Sequence, residues 1–407
     1  MAAPPDEASP PPDPVIPVLM AAVFSGSLAM MAFVALIGPV ARVAGLAPWQ
    51  AGLAVTASGV MWMLGARPWG MASDRHGRRA VLLLGAAGFT LAYWALCLVV
   101  DALLRWQVPV VVAFLALVAG RALVGGAYAA IPAAGMALIA DRTEPARRAQ
   151  AMARLGTASG AGLVAGPALA ALLVPYGLGV PLIATAALPL LACLALWWKV
   201  PRTPPRPSPA RRRLALTDLR LRQPLAIGFA AMFSVSVAQV SIGFYAMDRL
   251  GLPPEEAARA AGAALMLVGV ALVISQSVAS RWRIAPGRMV RLGMLAAALG
   301  FGSVVLADRG WMLAACYFVA ALGMGWVFPG FSAMTANAVD AGEQGAAAGA
   351  AGAAQGLGMV AGPVAGSLLY ALAPAAPYVL ASSLLVVVSL PLWLGAGRAL
   401  AAPKRRR

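Results

Sequence analysis

Residues 70–79 carry one aspartate and three arginines in a stretch of ten, Gly70-Met-Ala-Ser-Asp74-Arg75-His-Gly77-Arg78-Arg79. Guanidinium and carboxylate groups at this spacing can form ion pairs and forked hydrogen bonds to nearby carbonyl groups. Apolar runs flank the stretch, Ala51–Leu64 before it and Ala80–Val100 after it. The stretch is too charged to enter lipid and too short to be a domain. The pattern therefore predicts a tight polar turn between two membrane helices, with Asp74 just before the second helix.

Arg121 is the second residue with notable chemistry, because it lies in the middle of an apolar run with no acid nearby. Placing an arginine at the centre of a membrane helix costs about 2.5–3.5 kcal/mol on insertion scales, and such residues are functional candidates. We expect Arg121 to face an internal cavity. It could capture an anionic substrate group, or it could bond only to backbone carbonyls.

Other catalytic chemistry is missing from the sequence. No GxxxxGK[ST] phosphate loop occurs, which argues against direct use of ATP. Cys97, Cys193 and Cys316 each lie inside an apolar run and lack metal-ligand spacing, so we expect free thiols and no metal or cofactor. No carboxylate lies near the middle of an apolar run. The sequence therefore does not predict an enzyme, and with Arg121 present it favours neutral or anionic cargo.

The composition predicts a membrane protein. Of the 407 residues 61% are hydrophobic and only 11% are charged, too few charges for the surface of a soluble chain of this size. The net charge of +17 could suggest nucleic-acid binding. The arginines fall in loops between apolar runs, however, which is typical of cytoplasmic loops, so we expect no nucleic acid.

Twelve apolar segments are long enough to cross a bilayer. In the first half they cover 15–40, 50–72, 80–100, 108–139, 147–174 and 180–199, and in the second half 223–247, 255–281, 287–307, 310–338, 343–372 and 375–396. We divide the chain into a disordered cytoplasmic tail, an N-terminal six-helix bundle, a Pro/Arg-rich linker, a C-terminal six-helix bundle and a basic tail. Their bounds are 1–14, 15–199, 200–222, 223–397 and 398–407.

With twelve spans and a cytoplasmic N-terminus, most of the 31 Lys and Arg residues fall in loops and tails on the cytoplasmic side. This asymmetry obeys the positive-inside rule, and adding or removing one span would destroy it. We therefore predict a multi-pass protein of the bacterial inner membrane with both termini in the cytoplasm.

A short internal repeat links the two halves. The sequence Gly162-Leu-Val-Ala-Gly166-Pro167 recurs as Gly358-Met-Val-Ala-Gly362-Pro363, in the fifth and eleventh spans. Repeats of this kind are typical of transporters in which two bundles rock around a central site. Glycines permit close helix packing and proline bends a helix, so each copy predicts a tight, bent seam. Ordinary close packing remains the alternative.

Three motifs resemble those of the major facilitator superfamily. Residues 70–79 resemble its loop 2–3 motif, Arg121-Ala-Leu-Val-Gly125-Gly126 resembles its helix-four motif, and residues 162–167 resemble the helix-five motif of drug:proton antiporters and related exporters. The resemblance implies an all-α membrane fold with twelve transmembrane helices in two pseudo-symmetric six-helix bundles. Val124 replaces a frequent Gln, and Ala170 and Ala171 replace the glycine pair that closes the helix-five motif, of which Gly366 keeps one in the second copy.

The resemblance also assigns roles to residues. It implies that Gly70, Asp74, Arg75, Gly77, Arg78 and Arg79 form a conformational latch that joins the halves when the inner side is closed. It assigns Arg121 and Gly125 to proton coupling or substrate binding. It assigns Gly162, Gly166 and Pro167, with their copies Gly358, Gly362, Pro363 and Gly366, to the antiporter seam. The cavity is lined by the first, fourth, seventh and tenth helices in the resembled fold, so its candidate residues are Ser25, Tyr128, Ser234, Gln239, Tyr245, Trp326, Thr335 and Asn337.

These observations predict proton-coupled efflux of a drug-like molecule, or of an endogenous metabolite such as a siderophore, by alternating access. Proton-coupled uptake of a nutrient or organic anion is the alternative, and a non-transporting membrane sensor is a remote one. The expected partners are a small-molecule substrate, protons and the lipid bilayer, and we expect a monomer.

Overall fold

The computed structural model describes residues 14–143, 145–202, 218–282, 284–340 and 343–394. Every regular element in these ranges is helical. The first half contains α1 (Val15–Val43), α2 (Pro48–His76), α3 (Arg78–Arg105), α4 (Val110–Tyr128), α5 (Ala130–Arg142), α6 (Pro145–Leu173) and α7 (Val180–Lys199). The second half contains α8 (Arg222–Asp248), α9 (Pro254–Trp282), α10 (Pro286–Ser303), α11 (Gly310–Asn337), α12 (Gln344–Leu372) and α13 (Ala376–Trp393).

Eleven helical stretches in the described ranges are long and apolar enough to cross a membrane. Helices α4 and α5 form one of them, Val110–Arg142. The exception is α2, which is as long as its neighbours but less apolar. With α2 included, the helices follow the twelve predicted spans, and the all-α membrane fold is confirmed.

The domain bounds stay predictions, and parts of them lie outside the described residues. These parts are residues 1–13 of the first tail, 203–217 of the linker and the whole basic tail. Short connections between successive helices alternate between two sides of the molecule. We call the side where α1 begins the arginine-rich side, because the α2–α3 turn there carries three arginines. The opposite side, where α1 ends, is the arginine-poor side.

Glycines set the packing of the first helix of each half. A Cβ on Gly162 of α6 would lie 2.4 Å from the carbonyl oxygen of Phe24 on α1, and a Cβ on Gly358 of α12 would lie 2.5 Å from that of Phe229 on α8. Only glycine allows so close an approach of two helix backbones in lipid. The pairs α1–α6 and α8–α12 therefore repeat the same contact in the two halves.

The two halves meet on the arginine-poor side. Near the ends of α1 and α8, a Cβ on Gly38 would lie 3.1 Å from the backbone of Gly243. Just beyond this crossing, Arg42 forms an ion pair with Asp248, and the hydroxyl of Tyr370 donates a hydrogen bond of 3.0 Å to the same aspartate. These contacts close the arginine-poor side.

The arginine-rich halves of α6 and α12 are not packed in this way. A Cβ on Gly156 or Gly160 of α6, or on Gly349 or Gly352 of α12, would meet no atom within 4 Å outside the backbone of its own helix. The described residues therefore leave these glycine faces unpacked on the arginine-rich side.

Candidate functional site

A cavity of about 280 Å³ lies between the first-half helices α1, α2, α5 and α6, and Met359 of α12 reaches it from the second half. Its lining is mostly apolar and rich in methionine: Met30, Met31, Met136, Met152 and Met359 all contribute. Ligand sites are commonly concave and apolar with a few placed polar groups. Methionine side chains are flexible and polarisable, so they adapt to varied shapes. We call this space the main cavity.

The polar groups of the main cavity are hydroxyls and one indole. Ser27 Oγ lies 3.0 Å from the hydroxyl of Tyr128 and 2.9 Å from Oγ of Ser159. Trp62 lines the same cavity, and its buried indole Nε1 has no hydrogen-bond partner. The main cavity therefore offers a hydroxyl cluster and one unused N–H donor.

A smaller cavity of about 20 Å³ lies next to the main one and is lined by Ser58, Arg121, Ser236 and Gln239. The two cavities share four lining residues, Met30, Met31, Gly59 and Met359. We call this space the arginine pocket. Because both halves contribute to it, the pocket lies where the halves meet.

The side chain of Arg121 is buried, with the residue only 1% exposed. Its Cζ lies 4.6 Å from the centre of the Phe33 ring, a cation–π contact. Its Nε and Nη1 have no hydrogen-bond partner. One turn further on, a Cβ on Gly125 would lie 2.0 Å from the carbonyl oxygen of Ser58. Gly125 thus lets α4 contact α2 closely, which places Arg121 over the pocket.

The predicted polar turn is shorter than expected. Helix α2 continues through His76 and α3 begins at Arg78, so Gly77 alone links them with a left-handed φ of 89°. The placement of Asp74 just before the third helix is therefore wrong, because this residue lies in the last turn of α2. Gly70 also lies within α2, with open space beside it, and makes neither the turn nor a close contact.

Arg78 is the centre of the charged cluster at this turn. It is 6% exposed, pairs with Asp74 through Nη1, and donates from Nε to Asp141 over 2.9 Å. The next residue, Arg79, donates from Nη2 to the carbonyl of Trp197 over 2.7 Å, while Arg75 is exposed. All these partners belong to the first half.

The two copies of the Gly-Pro motif have equivalent neighbours. The glycines contact the first helix of their own half: a Cβ on Gly166 would lie 2.4 Å from the carbonyl oxygen of Leu28. In the second copy, a Cβ on Gly362 or Gly366 would lie against α8. The prolines face the opposite half. The carbonyl oxygen of Pro167 lies 2.7 Å from the Cβ position of Gly262, and that of Pro363 lies 2.5 Å from the Cβ position of Gly52.

Two of the eight cavity candidates line a cavity, namely Tyr128 in the main cavity and Gln239 in the arginine pocket. Three others bond a neighbouring helix or its end, and their placement in a cavity stays a prediction. Ser234 donates to the carbonyl of Ala381, Tyr245 to that of Val304 and Trp326 to that of Ser275.

The remaining three candidates also lie away from the cavities described above. Ser25 donates to the carbonyl of Ala22 and Thr335 to that of Phe331, each within its own helix. Asn337 is exposed at the end of α11. These local bonds already satisfy the two hydroxyls.

Helix α2 contributes residues to both cavities that the sequence patterns did not predict. Ser58, Gly59 and Trp62 line the cavities, although the resembled fold directed attention to other helices. The signal was present in composition, since α2 is a helix of membrane length that is absent from the apolar spans of the described residues. A helix that is less apolar than its neighbours is expected to face protein or water rather than lipid.

A sequence-family comparison decides the identity. The model of the Major Facilitator Superfamily matches residues 18–308 and 257–407. The chain belongs to the Major Facilitator Superfamily. It is therefore a multi-pass membrane transporter, and the resemblance drawn from the three motifs is confirmed.

Named relatives within the superfamily are resistance proteins. The chain is 30% identical to the tetracycline resistance protein, class G, of Vibrio anguillarum over 316 residues, covering 74% of this chain and 75% of the relative. It is 28% identical to the class C tetracycline resistance protein of Escherichia coli over 321 residues, with 74% and 75% covered.

The superfamily fold also appears in a solved structure. A bacterial homologue of the human lysosomal transporter Spinster, in an inward-facing and unoccupied conformation, is similar with a TM-score of 0.70 at 15% identity. The similarity covers 97% of each chain. At this identity the likeness concerns the fold alone.

Proposed function

We propose that this transporter exports a drug-like molecule or an endogenous metabolite, such as a siderophore, from the cytoplasm of a bacterium. It resides in the inner membrane with its arginine-rich side and both termini in the cytoplasm. Export is coupled to the inward movement of protons. One observation carries the proposal: the arginine pocket lies where the halves meet, with unpacked glycines on the arginine-rich side and tight contacts on the arginine-poor side.

This arrangement supports alternating access, in which two repeats rock around a central site. The positive-inside rule assigns the arginine-rich side to the cytoplasm. The cavity in the present conformation is then accessible to a cytoplasmic molecule. The similarity to tetracycline resistance proteins supports outward movement of a drug-like compound over uptake.

The charged cluster at the α2–α3 turn is proposed to serve as a latch in the opposite conformation. Here Asp74 and Arg78 bond to each other, and Arg78 bonds Asp141 within the first half. When the arginine-rich side closes, the start of α12 approaches this turn. Arg75, which is exposed in the present state, then has a surface of the second half to contact.

Proton-coupled uptake of an organic anion is the second candidate. It is favoured by Arg121, whose Nε and Nη1 are buried without partners. The direction of flux distinguishes the two candidates.

Everted inner-membrane vesicles test the proposal. Respiration acidifies their interior, a pH-sensitive dye reports the gradient, and tetracycline and a panel of drug-like compounds are added in turn. We expect at least one compound to release protons and to accumulate inside the vesicles, and we expect Asp74→Asn to lose this flux while still inserting. Accumulation in intact cells instead would support uptake. Neither activity with any compound would contradict the proposed function.

The orientation has its own test in intact cells. Single cysteines are placed in the linker by Ser208→Cys and in the α10–α11 loop by Asp308→Cys, in a background without the natural cysteines. A membrane-impermeant maleimide should label the second variant and not the first. Labelling of the linker from outside would contradict the proposed orientation.

A further inference from the structure

We propose that the cargo is an amphiphilic organic monoanion whose carboxylate binds Arg121 and whose apolar body fills the main cavity. The inference rests on the proposed transport function, because it treats the main cavity and the arginine pocket as one cargo site. The four lining residues that the two cavities share place them side by side.

Arg121 is buried and has unpaired hydrogen-bond donors. It is a buried guanidinium that lines the arginine pocket with Nε and Nη1 unpaired. Nε donates along the guanidinium edge that it shares with Nη2, and Nη1 donates at the end of the group, so each nitrogen can bond an oxygen of an anionic ligand. The Phe33 ring occupies a face of the guanidinium, so the donors at its edges are left for a ligand.

Among the described residues, no carboxylate pairs with Arg121. Asp74 and Asp141, at the ends of α2 and α5, pair with Arg78. Asp248, at the end of α8, pairs with Arg42. No carboxylate lies in the middle of α1, α2, α4, α8 or α12, the helices around the pocket. A buried charge is stabilised only when it is paired, so the partner is a group that arrives with the cargo.

The arginine pocket has the size and the chemistry to hold one small acceptor group. Its volume of about 20 Å³ leaves room for one small group and excludes an aromatic ring. Ser58 also lines it, and its buried Oγ has no hydrogen-bond partner. Arg121, Ser58 and the amide of Gln239 thus present several donors to one small acceptor group.

The main cavity fits the rest of such a molecule. Methionines provide an adaptable apolar wall, which suits an aromatic or fused-ring body. The unpaired Nε1 of Trp62 can donate to a carbonyl or hydroxyl oxygen on that body. The Ser27, Tyr128 and Ser159 hydroxyl cluster can bond a second polar substituent.

A matched pair of probes tests the proposal. The purified chain in lipid nanodiscs is titrated calorimetrically with 2-naphthoate and with 2-naphthamide, and empty nanodiscs correct for partition into lipid. We expect the carboxylate to bind at least about tenfold more tightly than the amide, because hydrogen bonds to a charged group are the stronger ones.

Variants show which residues cause the preference for naphthoate over naphthamide. Arg121→Met should reduce naphthoate binding to that of the amide, and Arg121→Lys should keep part of the preference, because it retains the charge and loses the fork. Ser58→Ala should cause a smaller loss. Arg67→Met removes an exposed arginine of α2. It is the matched control and should bind the probes as the unaltered chain does.

Thermal unfolding of the empty protein separates this role from a structural one. Removing an unpaired buried charge should leave the melting temperature unchanged or raise it, whereas an arginine that braces backbone carbonyls would lower it on replacement. Equal affinity for the two probes, a preference that survives Arg121→Met, or no binding of either probe up to its solubility limit would each overturn the proposal.

The binding test needs no proton gradient, so it fails independently of the proposed function. Carboxylate binding without export in vesicles would leave the monoanion site in place and refute the exporter. Conversely, export of a neutral or cationic compound by Arg121→Met at the unaltered rate would support the exporter and refute the monoanion.

Discussion

The arginine-poor and arginine-rich sides of the molecule differ in which groups pair with which. On the arginine-poor side, the ion pair between Arg42 and Asp248 joins the two halves. On the arginine-rich side, the ion pairs among the described residues stay within one half. Arg78 pairs inside the first half, and Arg220 pairs with Asp218 and Glu343 inside the second.

The glycines show the same difference. In the arginine-poor part of α6, Gly162 and Gly166 press against α1, whereas in the arginine-rich part a Cβ on Gly156 or Gly160 would meet no described atom of another helix within 4 Å. Helix α12 repeats this division. Each half is thus held together by its own close helix contacts. The smaller set of contacts that cross between the halves decides the conformation.

The largest expected effect comes from Gly166→Leu. The added Cβ would lie 2.4 Å from the carbonyl oxygen of Leu28, and no movement of one half against the other relieves a clash inside a half. We expect a loss of about 3 kcal/mol or more in unfolding free energy, measured by denaturant unfolding in detergent. Gly160→Leu is the matched control on the same helix and should change stability little. Equal losses would show that α6 is packed along its whole length.

A smaller effect is expected when the clash lies between the halves, as in Gly38→Leu. The Cβ would lie 3.1 Å from the backbone of Gly243, and opening of the arginine-poor side relieves the contact. Overpacking costs about 1–3 kcal/mol, so the ratio of closed to open molecules should fall by about 5- to 150-fold. Labelling of a cysteine at Ser241→Cys, now buried, should rise because the ratio of open to closed molecules rises. Gly156→Leu should leave labelling unchanged, and a rise there would contradict the comparison.

The ion pair across the halves should matter less than the helix crossing. Arg42 and Asp248 are partly exposed, and exposed pairs are typically worth about 0.2–1 kcal/mol. Arg42→Ala or Asp248→Asn should therefore raise labelling at position 241 only a few fold. The exchange Arg42→Asp with Asp248→Arg should restore most of the closed population. No restoration would assign the effect to Tyr370, whose hydroxyl bonds the same aspartate.

The smallest effect is expected for Arg220→Ala on the arginine-rich side. Hydrogen bonds from Arg220 lower the pKa of Asp218 and of Glu343 below their ordinary values. Carboxyl groups with lowered pKa values stabilise the folded chain above the unfolded pKa, and this is lost as the pH falls through the folded pKa. The variant should return both pKa values towards normal, as NMR titration of the carboxyl carbons would report. Unchanged pKa values would mean that Arg220 does not pair with Asp218 and Glu343 in the membrane-bound protein.

The sequence was sufficient for the features that rest on composition and spacing. Apolar length gave the helices, and the repeat of Gly162 and Gly166 as Gly358 and Gly362 gave the paired contacts of α6 and α12. Arg121 stood out because a charge in an apolar run needs a reason, and the structure places it at a pocket.

The end of α2 and the side-chain directions on α8 could not be read from the sequence, for two physical reasons. The end of α2 was set too early, because hydropathy falls at the charged residues, whereas Asp74 and Arg78 pair across the turn and a single left-handed Gly77 ends the helix. A cavity-lining role of Ser234 and Tyr245 on α8 stays a prediction, because apolar residues surround this helix and the two side chains carry no periodic signal. Their direction is decided by packing against neighbouring helices.

The modest apolarity of α2 has a consequence for biogenesis. A helix that carries Arg67, Asp74 and Arg75 partitions poorly into lipid by itself, since each such charge opposes insertion at the translocon. Its link to the strongly apolar α3 is only Gly77. We therefore expect the two helices to insert as one hairpin, with the apolarity of α3 offsetting the charges of α2.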